Sequence, residues 1–256
     1  MTMSTLDTVA ILTGASRGLG AALARALLAR PGMRLITVAR RADPDLAAHA
    51  LSLGASLRQV QADLSDPAAA QRTAQEICDG LPEGARRYLL INNAGTLGPV
   101  ARADQLDDAA AIATAFNLNV TAPMVLTSRF LSATQGLSND RRVLNISSGA
   151  GRNPNAGWDV YCATKAALDM ATRVANKEAE AHGARLVSMA PGIVDTDMQA
   201  NIRTSDPDSF PSLAQFQAFH AEGKLSSPAN VANRILAYLD RDDFGSTEID
   251  DIRHYA

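Results

Sequence analysis

The chain has 256 residues, 46% hydrophobic and 20% charged, which is enough apolar material for one large core and excludes wholesale disorder. Its 24 basic and 27 acidic side chains leave a formal charge of -3 with no long single-sign run, which argues against nucleic acid as the main partner. Two cysteines, Cys78 and Cys162, make neither a disulfide framework nor a zinc spacing; with no basic leader before Arg17 and no stretch approaching the ~18 apolar residues of a membrane helix, a soluble cytoplasmic protein is expected.

Short apolar runs alternate with longer Ala-rich segments of helical period, the pattern of repeated βαβ units around a parallel sheet. The first strand is predicted at residues 8–13 and the first helix at 18–29. Between them, Thr13-Gly14-Ala15-Ser16-Arg17-Gly18-Leu19-Gly20 stands where a dinucleotide loop must, after a strand and opening a helix. Gly14 suits a tight turn, Gly18 the approach of backbone N–H groups to a pyrophosphate, and Gly20 the packing of helix on strand. The second strand, 34–39, ends in Arg40-Arg41, without the acid that would accept from a ribose 2′-hydroxyl. Arg40 with Arg17 can instead clamp a 2′-phosphate through charge-assisted hydrogen bonds, which favours NADP(H); solvated loop arginines are the alternative. A helix at 45–53 and a strand at 56–61 lead to Asp63, which either contacts the adenine amino group or starts the turn into a helix at 67–80. The strand at 88–92 ends in Asn92-Asn93-Ala94-Gly95, small and amide residues where the cofactor ribose would lie.

A long helix at 106–134 carries Asn119, and a strand at 142–147 ends before Ser148. The helix at 158–182 sets Tyr161 and Lys165 four apart, on one face. A ketone accepting hydride develops negative charge on oxygen and needs a proton donor there, which makes Tyr161 the candidate acid. Lowering a phenol from ~10 toward neutrality takes about 4 kcal/mol. An ammonium ~5 Å away contributes about 3 kcal/mol at an effective dielectric of ~20, so Lys165 is expected to supply most of it. Ser148 would hold the carbonyl oxygen, and Asn119 a water linking Lys165 to solvent. After a strand at 184–190, residues 195–226 read as an irregular stretch rich in Asp, Ser and Pro that covers a ligand at the sheet's C-terminal edge. Trp158 and Met198 are candidate walls for an aromatic ketone, with Phe210, Phe216 and Phe219 either closing over it or packing as core. Cys162 reads as a packed side chain rather than a redox thiol. A helix at 228–239 and a strand at 247–250 complete the order.

With these motifs the chain resembles the short-chain dehydrogenase/reductase family over nearly its whole length. The matching elements are the loop from Thr13 to Gly20, Asn92-Asn93-Ala94-Gly95, Asn119, Ser148, Tyr161-Cys162-Ala163-Thr164-Lys165 and Pro191-Gly192-Ile193-Val194-Asp195-Thr196. The resemblance implies one NADP-binding domain over 1–256, a doubly wound (Rossmann-type) three-layer α/β sandwich with a seven-stranded parallel sheet, assembled as a homodimer or homotetramer. It implies cofactor contacts from Gly14, Ser16, Arg17, Gly18, Leu19, Gly20, Arg40, Asp63, Leu64, Asn92, Ala94, Gly95, Tyr161, Lys165, Pro191, Gly192, Val194 and Thr196. A narrower likeness is to the sepiapterin reductases and bacterial benzil reductases, which reduce one carbonyl of a vicinal dicarbonyl with NADPH. It is carried by Gly157-Trp158-Asp159-Val160-Tyr161-Cys162, Asp195-Thr196-Asp197-Met198-Gln199, Gly223-Lys224-Leu225 and the closing Phe244-Gly245-Ser246-Thr247-Glu248-Ile249-Asp250. It implies a substrate anchor at Asp250, or at Asp251 one register away, although the tail His254-Tyr255-Ala256 departs from the pterin enzymes' pattern. The expected protein is an NADPH-dependent carbonyl reductase in which Ser148, Trp158, Tyr161, Met198 and Asp250 meet a small-molecule substrate, with no metal, nucleic acid or membrane. A reductase of a steroid, sugar or acyl-thioester carbonyl, and a non-catalytic NADP sensor, are the alternatives.

Overall fold

Strand β1 (Thr8–Thr13) is buried along its whole length, as a strand covered by helices on both faces must be. In the computed structural model, which describes residues 6–255, it lies inside a sheet of order β3-β2-β1-β4-β5-β6-β7. The other strands are β2 (Met33–Ala39), β3 (Ser56–Gln61), β4 (Arg87–Asn92), β5 (Asp140–Ile146), β6 (Ala184–Ala190) and β7 (Ile249–Asp251), and every neighbouring pair is parallel. The chain order reverses between β1 and β4, which opens a crevice at their C-terminal ends. The ends of the expected 1–256 domain, Met1 to Thr5 and Ala256, lie outside the described residues.

Two cores follow from the two-residue period of the strands. On one face α1 (Gly18–Leu28), α2 (Pro44–Leu53) and α9 (Pro228–Asp240) bring Leu23, Leu27, Leu46, Ile235 and Leu239 against Ala10, Leu12 and Leu144. On the other, α3 (Pro67–Asp79) and α5 (Ala122–Ala133) lay Ile77, Leu126 and Phe130 over Val9, Ile11 and Val143, beside α6 (Asp159–Ala179). Each fully buried aliphatic side chain of this kind contributes about 1.5–3 kcal/mol. Asp43, Asp66 and Ser227 cap α2, α3 and α9 with their side-chain oxygens, each before a first-turn proline.

Four expectations need correction. The helix expected at 106–134 begins at Ala109, capped by Asp108, and is interrupted by a π-helical segment, Asn117–Thr121, between α4 (Ala109–Phe116) and α5. This run, Ala109–Ala133, is also long and apolar enough by composition to cross a membrane, contrary to the expectation that no stretch approaches that test; here it packs on α3 and α6. The strand expected from Arg142 begins at Asp140. Its basic start is accommodated because Arg142 pairs with Asp140 at 2.6 Å and donates to the Leu239 and Arg241 carbonyls, while Arg141 donates to the Leu131 and His182 carbonyls. The irregular stretch contains two helices, α7 (Asp197–Arg203) and α8 (Leu213–Ala221), and a third apolar cluster in which Ile202 and Phe210 meet Ala150, Trp158 and Tyr161.

Candidate active site

The loop after β1 is locked to the loop after β4. Thr13 Oγ1 accepts from the backbone N–H groups of Asn93 and Ala94, both at 3.0 Å, and Asn93 Nδ2 donates to the Thr13 and Gly14 carbonyls. Gly14 has φ +70°, and a Cβ there would lie 2.8 Å from Ala94 Cα; one at Gly20 would lie 2.0 Å from the Gly14 carbonyl oxygen. Only glycine fits either place. Gly18 and Leu19 open α1 with no acidic residue in its first turn, so the unpaired N–H groups and the positive end of the helix face the loop. Thr196, at the start of α7, sits with its Cγ2 3.2 Å from where a Gly18 Cβ would be. This joins the glycine loop to the 191–196 loop, where Gly192 adopts φ +75° beneath Arg253. Ser16, Arg17 and Gly18 also border a cavity of about 800 Å³ that runs to Asp43 and Pro228. It is not lined by Ser148, Tyr161 or Lys165 and so is distinct from the catalytic cleft.

Several expected cofactor residues are otherwise engaged. Arg17 Nη1 lies 3.2 Å from the Asp197 carboxylate rather than beside Arg40, which is exposed beyond β2. Asp63 accepts from the Ser65 backbone N–H and hydroxyl, which hold its carboxyl below the usual range with help from the nearby Arg40 charge. Of the two readings left open for Asp63, its carboxylate is thus placed in the turn. Leu64 and Val194 are buried in the two cores. Asn92 points into the sheet and donates to Asn145 Oδ1 at 2.8 Å, while Ala94, Gly95 and Pro191 remain at the edge of the cleft.

Ser148 ends the segment after β5 with its hydroxyl oxygen accepting from the Ala150 N–H at 3.2 Å, which leaves the hydroxyl proton free to donate. Tyr161 and Lys165 enter from α6, 8% and 5% exposed, with Lys165 Nζ 5.7 Å from the phenol ring centre and donating to the Ile146 carbonyl at 2.9 Å. Burial pushes the Tyr161 phenol up, and the Ser148 hydroxyl pulls it partly back. Burial outweighs the Ser148 hydroxyl here, and the phenol keeps its proton, the form that donates. Burial also pushes the Lys165 ammonium down to about 8, against the opposing charge of Asp169. Asn119 Oδ1 accepts from the Thr96 N–H, and Nδ2 donates to the Thr96 carbonyl and to Thr164 Oγ1. Its amide therefore braces the loop after β4, with both donors used and one acceptor position of Oδ1 left.

Around the phenol, Trp158 meets Tyr161 edge-on at 5.6 Å and stacks on Phe210 at 4.9 Å, with Phe216 5.1 Å away and Met198 packed on the cluster. Phe210 is fully buried and Phe216 adjoins Phe219, so these phenylalanines pack as the underside of α7 and α8. Cys162 is half-buried in this cluster, and no metal-binding group of His, Cys, Asp or Glu forms among the described residues. Asp250 is not brought to the site. Its register partner Met189 belongs to the core under α1 and α9, and its carboxylate accepts from the Asp251 N–H and the Tyr255 hydroxyl, with His254 Nδ1 3.0 Å away. Asp251, opposite Ala190, is on the α6 face and forms a two-pronged pair with Arg253.

The sequence reading missed Asp169. It lies one turn beyond Lys165, and its carboxylate accepts from the Ser147 and Ser188 hydroxyls, both at 2.6 Å, and from Arg152 at 3.1 Å. The signal was the continuation of the four-residue step from Tyr161 through Lys165 to a charged residue on an otherwise buried stripe.

Comparison with known proteins places this geometry in context. The family model described as short chain dehydrogenase matches residues 8–207. The chain is 39% identical to a benzil reductase ((S)-benzoin forming) of Bacillus cereus, over 93% of this chain and 96% of that one. It is 40% identical to the sepiapterin reductase of Bos taurus, over 93% and 92%. Among solved structures, a short chain dehydrogenase from Burkholderia cenocepacia in complex with NADP superposes with a TM-score of 0.76 at 25% identity, over 96% of each chain.

Proposed function

The chain belongs to the short-chain dehydrogenase family, and on that premise we propose that it is an NADPH-dependent reductase that converts one carbonyl of a vicinal dicarbonyl to the alcohol. Membership makes it an oxidoreductase. The choice of dicarbonyl is supported by the benzil and sepiapterin reductases to which it is similar over nearly their whole length. The residues present fit the cofactor: the cradle at Gly14 and Gly20 admits no side chain, and an acid-free helix start stands ready for a phosphate. When bound there, NADPH supplies the hydride, and the residues that would hold it are those of the glycine loop, Arg40, Ala94, Gly95 and the 191–196 loop.

The observation that carries the reading is the convergence of three side chains. The Ser148 hydroxyl, which acts on the Tyr161 phenol before substrate enters, donates to the carbonyl oxygen, while Tyr161, buried and protonated, donates to that same oxygen as negative charge develops. Lys165 places a buried cation beside the phenol, so the proton leaves more readily. Trp158, stacked on Phe210, backs the phenol from the protein side, so the aromatic dicarbonyl is supported by the relatives rather than by this ring. A homodimer or homotetramer belongs to the same reading and is checked by light scattering.

The test follows NADPH absorbance with benzil, 1-phenyl-1,2-propanedione and sepiapterin, alongside a panel of steroid, sugar and acyl-thioester ketones. Turnover of the dicarbonyls, reduced about 10²- to 10⁴-fold in Tyr161→Phe with NADPH affinity retained, is the expected result. Faster turnover of another ketone class would replace the substrate, and tight NADPH binding with no turnover of any ketone would replace the reductase by a sensor.

A further inference from the structure

We propose that Asp169 is a positioning residue whose carboxylate keeps Lys165 in its ammonium form beside Tyr161. Tyr161, Lys165 and Asp169 follow one another at four-residue steps along the buried face of α6, and all three are less than one tenth exposed. A cation removed from water in this way needs a counter-charge or it loses its proton. The groups facing Lys165 from the surrounding elements are the Ile146 carbonyl from β5, the Asn119 amide from the π-helical segment and the Tyr161 phenol, all neutral. Asp169 is the anion that acts on it.

The carboxylate is itself fixed. The Ser147 hydroxyl at the end of β5 and the Ser188 hydroxyl of β6 both donate to Oδ1, which ties it to two adjacent strands. Arg152 Nε donates to Oδ2 and Arg152 Nη2 to the Asp250 carbonyl. Asp169 pairs directly with Arg152 at 3.1 Å and acts on Lys165, one helical turn back, through its field alone, so the Arg152 charge tempers what reaches Lys165. Two opposite outcomes follow: removal of the carboxylate weakens the hold of Lys165 on its proton, and removal of the arginine strengthens it.

The chain has three lysines, Lys165, Lys177 and Lys224, so the titration of Lys165 is read directly by NMR of protein labelled at the lysine Cε, with Lys177→Arg and Lys224→Arg for assignment. Asp169→Asn, which retains the size of the side chain, is expected to lower the Lys165 midpoint by about one pH unit, and Asp169→Glu to recover part of it. Arg152→Met, at a side chain 29% exposed, is expected to raise the midpoint and keeps the test open should Asp169→Asn fail to fold. Ser147→Ala is the structural control: it keeps the charge and is expected to lower Tm with the Lys165 midpoint in place. A midpoint unmoved in Asp169→Asn, or in Arg152→Met if that variant alone folds, overturns the proposal. The consequence for turnover, an alkaline limb of kcat displaced in the same directions, rests on the reductase reading. Shifted midpoints in a protein that reduces no ketone would overturn that reading while leaving the role of Asp169 intact.

Discussion

In the reductase reading, Arg40 is the exposed side chain to which the preference between cofactors is assigned. It stands exposed at the end of β2, and its charge already reaches Asp63, which follows the neighbouring strand β3. A guanidinium in that place gains from a 2′-phosphate a charge-assisted bond of about 1.5–3 kcal/mol that a hydroxyl does not return. Arg40→Asp is therefore expected to raise the KM for NADPH about 10- to 100-fold and to lower that for NADH; an unchanged ratio of the two would place the phosphate contact elsewhere. The shared face of Tyr161 and Lys165 was legible in the sequence because a four-residue step on a helix sets it, and the place of Ser148 because it follows the apolar run of β5. The second arginine of the expected clamp was not, since the partner that holds Arg17, Asp197, comes from a distant segment of the chain. Nor was the face that each of Asp250 and Asp251 takes: on a strand a one-residue difference moves a carboxylate to the other face of the sheet, and only the pairing with Met189 and Ala190 shows which is which.

At the scale of elements, the break in the long helix does what an unbroken one would not. The π-helical segment widens the turn at Asn119, and the amide thus turned inward captures both backbone groups of Thr96. Helical period alone runs straight through this region, because the segment keeps helical dihedrals at both flanks and the partner that rewards the bulge is far away in sequence. The two helices of the 195–226 stretch were hidden for a related reason. Each is too short to form without packing, and what stabilises them is the aromatic stack of Trp158, Phe210 and Phe216 rather than their own composition. Asn119→Ala removes three hydrogen bonds and is expected to lower stability by about 2 kcal/mol in urea. It is also expected to speed hydrogen exchange at the Thr96 amide beyond the change seen elsewhere. An exchange rate at Thr96 that follows only the global loss would show that the loop is held without Asn119.

Across the whole molecule the two ends of the sheet divide the work. The C-terminal ends of the strands hold the reacting groups, while the N-terminal ends carry a belt of ion pairs centred on Asp140. Asp140 lies 2.7 Å from Arg87 and 2.6 Å from Arg142, with Arg86 at 3.6 Å and Arg185 at 3.7 Å. Arg87 continues the belt to Asp240 on α9 at 2.7 Å. Burial alone would push the Asp140 carboxyl up, but the hydrogen bonds from Arg142 and Arg87 outweigh it and hold the group below its ordinary value of 3.8. A carboxyl lowered in the folded state contributes stability that is fully present above its unfolded value and is lost as pH falls through the folded one. Asp140→Asn leaves Arg142, almost wholly out of solvent, without its counter-charge and Arg87 with Asp240 alone, and is expected to cost about 3 kcal/mol in urea unfolding at neutral pH. Because wild-type Asp140 is itself neutralised in acid, the two proteins should converge in stability as pH drops below 3.8. A deficit of the same size at every pH would mean that Asp140 acts through shape rather than charge. The belt lies at the far edge of the sheet from Tyr161, so kcat in the folded variant should be that of the wild type, and a matching fall in kcat would show that the two ends of the sheet are coupled.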